Sequence, residues 1–145
     1  IRLAELGRHE EALTVIEEAV TVRRELAAAR PDAFLPKLAV SLNNLAVQLG
    51  ELGRRKEALT VIEEAVTVRR ELAAARPDAF LPDLAVSLNN LAIRLAELGR
   101  HEEALTVIEE AVTVRRELAA ARPALHQAAL ERSLRVLSRL RDGKP

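Results

Sequence analysis

Apolar residues recur at the i, i+3, i+4, i+7 spacing of one helical face through most of the chain. Ala104, Leu105, Ile108, Ala111, Val112 and Leu118 follow it from about His101 to Ala121. Leu84, Leu88, Leu91, Ala92 and Leu95 do so from about Pro82 to Leu98. Pro82 suits a first helical turn, where its missing N–H goes unused. Gly99 stands where a helix must stop, because glycine reaches left-handed backbone angles without steric penalty. Pro123, like Pro31 and Pro77, disfavours helix at the residue before it, so the second helix is expected to run to Arg122. The pattern is helix, glycine turn, longer helix, then a short PDAFLP connection. Phe34 and Phe80 in that connection are expected to pack over the junction between units, with an exposed docking role as the alternative.

The pattern repeats. Gly7–Leu52 recurs as Gly53–Leu98 and begins again at Gly99, a period of 46 residues (53 − 7 and 99 − 53). The two full copies differ at six positions: His9/Arg55, Glu10/Lys56, Lys37/Asp83, Val47/Ile93, Gln48/Arg94 and Gly50/Ala96. Such a period signals a solenoid whose units bury their apolar faces against one another. Copies this alike point to recent duplication or to consensus design. One repeat domain is expected over 1–145, with a partial unit at 1–35, full units at about 36–81 and 82–123, and a capping helix at about 124–141. Ile1–Leu6 would be the end of a first helix, leaving the apolar side of the next helix uncovered. Lys37 would lie in the first turn of its helix, opposing the helix dipole that Asp83 suits.

LNNLAIRLAELGRHEEALTVIEEAV, from Leu88 to Val112, resembles a tetratricopeptide repeat, and is most similar to the long variety of kinesin light chains and many bacterial signalling proteins. Leu91 and Ala92 match the Leu-small pair of the first helix, Gly99 the turn glycine, and Ala104 and Ala111 the small residues at the helix crossing, where close approach needs them. Leu95, His101 and Ile108 replace the usual aromatics. The resemblance implies an all-α fold, a right-handed α-solenoid of antiparallel helix pairs, whose first helices line a concave groove that holds peptides. It places Val40, Asn43, Asn44 and Val47 of one unit, and Val86, Asn89, Asn90 and Ile93 of the next, on that inner wall.

The four asparagines are the only ones in the chain, and asparagine is a mediocre helix former. A carboxamide donates and accepts, so one of each doublet could hold a peptide backbone. The other reading is a hydrogen bond to the adjoining helix. In the last helix the doublet becomes Arg135 and Val136, and Arg132, Arg135 and Arg139 form a basic stripe. That stripe is read either as a solubilising cap or as a positive groove end for an acidic segment or terminal carboxylate.

Composition narrows the function. The 22 basic residues balance 22 acidic ones, so nothing draws the chain generally to nucleic acid or anionic membrane. No apolar run is long enough for a transmembrane helix. No signal peptide is expected, because Arg2, Glu5 and Arg8 stand close together, and a cytoplasmic location is expected. The lack of an initiator methionine suggests a fragment or trimmed chain, and the excess of arginine over lysine resembles coding from a GC-rich bacterial genome. Cysteine is absent, which removes thiolate nucleophiles and cysteine metal sites. HEEAL is not the HExxH zinc motif, and Ser41, Ser87 and Ser133 have no accompanying base. Neither cofactor, metal, small-molecule substrate nor catalysis is expected. The expectation is a scaffold that binds a peptide segment or another protein, part of a larger signalling or regulatory protein. The alternative is a structural spacer or self-assembling array that associates through its repeat ends.

Overall fold

The computed structural model describes residues 3–143, which form six α-helices: α1 (Leu3–Ala29), α2 (Pro31–Glu51), α3 (Arg55–Ala75), α4 (Pro77–Glu97), α5 (His101–Ala121) and α6 (Pro123–Arg141). Ile1 and Arg2, the start of the expected first-helix end, lie outside the described residues. No strand occurs among the described residues. The fold is an all-α helical repeat. Two compact units divide it within α3, Ile1–Val68 and Arg69–Pro145. In the first, α1 lies antiparallel to α2. In the second, α5 is packed between α4 and α6, with a lighter contact from α4 to α6.

Small residues set the closeness of that packing. Ala104 and Ala111 of α5 and Ala85 and Ala92 of α4 are fully buried, as are Ile108 and Leu88. Each such large aliphatic side chain contributes about 1.5–3 kcal/mol when fully buried. Larger side chains at the alanine positions would hold the helix axes apart.

The PDAFLP segment is helical and forms no connection. Pro31, Pro77 and Pro123 open α2, α4 and α6, and the link from the preceding helix is one extended residue, Arg30, Arg76 or Arg122. The residue before proline is pushed out of the helical region, so a single arginine suffices to break the rod. Pro36 and Pro82 consequently fall inside α2 and α4, where each leaves one carbonyl of the preceding turn without its donor. Lys37 is the seventh residue of α2, beyond the reach of the helix dipole. Its Nζ lies 5.5 Å from the Phe34 ring centroid, and Arg76 stands 6.0 Å from that of Phe80. Both rings are half-buried.

The turn glycines divide into two kinds. Gly53 and Gly99 have φ of 76° and 77°, and the chain closes behind them with Arg54 N–H to Leu49 O and Arg100 N–H to Leu95 O, both 2.9 Å. Gly7, at the equivalent position, lies within α1 and has no positive φ. A turn there would need a preceding helix to fold back on. Without one among the described residues, the chain keeps its intrahelical hydrogen bonds and runs straight.

The same substitution therefore has opposite effects at equivalent positions. A Cβ at Gly7 or Gly99 meets nothing within 4 Å, so only the backbone decides. Gly99→Ala should cost about 1–2 kcal/mol for a left-handed alanine, and Gly7→Ala should stabilise by up to about 1 kcal/mol. Urea unfolding of both variants checks this, and shifts of the same sign would overturn the assignment.

Candidate functional site

In the second unit, Val86, Asn89 and Ile93 share one face of α4, and their repeat equivalents on α6 are Arg132, Arg135 and Arg139. Val86 is 42% exposed, Ile93 is half-buried, and the three arginines are exposed. No carboxylate pairs with them among the described residues. Burial lowers the pKa of Arg115, and the nearby Arg132 charge adds to that. A shallow concavity is lined by Arg135, Ser138 and Arg139.

Asn89 is held by a relay across three helices. Arg115 of α5, buried at 5% exposure, donates from Nη1 to Ala129 O (3.0 Å) and to Ser133 Oγ (2.7 Å). Ser133 Oγ donates onward to Asn89 Oδ1 at 2.9 Å. With its oxygen committed, Asn89 retains the Nδ2 amide protons as donors. Arg69 repeats the first step, donating to Asp83 O (3.1 Å) and Ser87 Oγ (2.8 Å). Arg23 does the same in the first unit, to Lys37 O (3.1 Å) and to Ser41 Oγ. Guanidinium is weakly hydrated and forks its donors, so it tolerates these sites where ammonium would not. Burial lowers the Arg69 and Arg115 pKa values from the usual arginine range.

Asn90 points inward. It is 8% exposed, and its Nδ2 is buried without a hydrogen-bond partner among the described residues. Val136 occupies the same place on α6, buried at 7%. The doublet of α4 thus splits into an outer Asn89, engaged through its oxygen, and an inner Asn90.

In the first unit, Val40 and Val47 of α2 are 46% and 36% exposed. Asn44 is exposed there and Asn43 is half-buried. Each face is apolar with a carboxamide set into it, and the second unit adds a row of cations.

The buried arginine–serine pairs escaped sequence reasoning. Their signal was a fixed offset: Arg23, Arg69 and Arg115 each precede a serine by 18 residues, in every repeat. Among the described residues, no cluster of three or more His, Asp or Glu could hold a metal ion.

A family model described as a tetratricopeptide repeat matches residues 37–117, and a second of the same description matches residues 1–18. No curated protein matches the chain.

Two substitutions test this reading of the asparagines and the relay. Asn90→Val should stabilise by about 1 kcal/mol, by removing a buried amide left unsatisfied. Ser133→Ala should cost about 1–3 kcal/mol, because it strands the Asn89 oxygen and takes one acceptor from Arg115. Both are read as shifts in the urea midpoint at constant slope. Destabilisation by Asn90→Val would refute its inward, unpartnered placement.

Proposed function

The chain belongs to the tetratricopeptide-repeat family, whose members are generally protein–protein interaction modules, and we propose that its first helices grip an extended segment of another protein. The observation that carries this is the exposed valines of α2 and α4, apolar residues kept at the surface beside carboxamides. A scaffold that binds nothing would gain by making those positions polar, since exposed apolar area is a liability in water. Valine offers contact area, and the Asn89 amide offers a donor to a backbone carbonyl whatever the side chain of that residue. Affinity from so few contacts is modest, because ordering an extended segment consumes much of the gain.

The unit formed by α4, α5 and α6 favours an acidic segment. Arg132, Arg135 and Arg139 lie along one side of α6, and each guanidinium fork fits a carboxylate in two-point fashion. The three charges also speed encounter and make binding salt-dependent.

The test is titration of a fluorescein-labelled glutamate-rich peptide, with a lysine-rich peptide of equal length as control. The acidic peptide should bind more tightly, and the combined Arg132→Ala, Arg135→Ala and Arg139→Ala variant should lose roughly tenfold or more in affinity. Indifference to peptide charge sinks the acidic preference. Unchanged binding by a Val86→Ser, Asn89→Ala variant that remains folded sinks the first-helix face itself.

A further inference from the structure

Each of Arg23, Arg69 and Arg115 reaches a serine of the following helix, and the last of these pairs continues to the face of α4 proposed for ligand. Arg115 Nη1 serves both Ala129 O and Ser133 Oγ, at 3.0 Å and 2.7 Å, and Ser133 Oγ lies 2.9 Å from Asn89 Oδ1. Ser133 is 0% exposed and Arg115 5%, so neither is available to a bound segment. Asn89 is half-buried on α4. Its Nδ2 forms no hydrogen bond among the described residues and, unlike Asn90 Nδ2, remains open to solvent.

Counting hydrogens along these groups leaves the relay one direction. A guanidinium has only N–H donors and no acceptor, and it stays charged at any ordinary pH. The Ser133 oxygen therefore accepts from Arg115, and its single proton must go elsewhere. In a helix a hydroxyl commonly returns that proton to the carbonyl four residues back, as Thr106 and Thr113 of α5 do at 3.2 Å and 3.0 Å. That outlet is closed to Ser133. Ala129 O already takes the helical N–H of Ser133 and the Arg115 guanidinium, one for each of its lone pairs. The proton is left to Asn89, which meets it with its oxygen. The opposite amide flip would set N–H against O–H.

We propose that Arg115 and Ser133 are positioning residues that lock Asn89 as a hydrogen-bond donor, so that a bound segment seats a backbone carbonyl, and not a backbone N–H, against α4. The inference rests on the first-helix face being the ligand surface, and adds to it the polarity of one contact. A free carboxamide turns either end outward and pairs with N–H and C=O groups alike. This one discriminates. A backbone N–H placed against Asn89 meets a second donor, and leaving both unpaired costs more than a missing bond. Carbonyls and N–H groups occupy different points along an extended segment, so the lock also sets the register in which that segment lies on α4. The direction comes from the interior, from a guanidinium that touches no ligand.

Titration of the fluorescein-labelled glutamate-rich peptide reads this in a double-mutant cycle, each variant being shown to fold by circular dichroism and its urea midpoint. Asn89→Ala should weaken binding about threefold to tenfold, the loss of one hydrogen bond. Ser133→Ala alone should weaken it about twofold to fivefold, because the amide then turns freely and the competent orientation is one of several. Added to Asn89→Ala, the same Ser133→Ala should change affinity less than about 1.5-fold, since the group it orients is gone. A serine with a purely structural role would weaken binding equally in both backgrounds, and that result overturns the proposal. So does Ser133→Ala binding as tightly as wild type. Asn89→Asp keeps an acceptor for Ser133 but removes the donor that faces the ligand, so it should fold normally and bind no better than Asn89→Ala. Binding by Asn89→Asp as tight as wild type overturns the direction of the lock. If Asn89→Ala itself binds as wild type does, the first-helix face falls, and this inference with it.

Discussion

A second helix of this repeat is apolar on two sides, and the structure depends on both sides being covered. In α5 the covering is complete: Ala104 and Ala111 sit where a neighbouring backbone must come close, and Ile108 fills the space between them. Helices of this length gain little from propensity alone, and most of their stability comes from such packing. The length of α1 follows from the same rule. Gly7 has no helix before it among the described residues, and it stays helical where Gly53 and Gly99 take the left-handed angle.

The arginine–serine pairs work against the grain of that packing. A guanidinium at 5% or 6% exposure has lost most of its hydration, which disfavours its charge. It remains tolerable because Arg69 and Arg115 each donate to a backbone carbonyl and a serine hydroxyl of the following helix. These directional bonds fix how far one helix can slide along the next, which interchangeable aliphatic side chains do poorly. The Ser133–Asn89 bond then carries the constraint to the half-buried Asn89 of α4, whose amide orientation it sets.

The helical repeat was legible because period and chemistry agree. The 46-residue spacing, the paired alanines and the turn glycines each pointed to helix pairs, and the fold followed. Positions decided by neighbours were not legible. Gly7 and Gly99 sit in the same local sequence, and only the presence of a preceding helix separates them. PDAFLP reads as a connection because two prolines suggest a break, yet one extended arginine is enough, and the second proline is absorbed into the helix at the loss of one hydrogen bond. Asn89 and Asn90 are adjacent and chemically equal. Helix phase alone does not decide which one turns inward, since Asn44 of α2, the repeat equivalent of the buried Asn90, is exposed. The arginine–serine offset was visible in principle, but arginine in a helix is by default a surface residue.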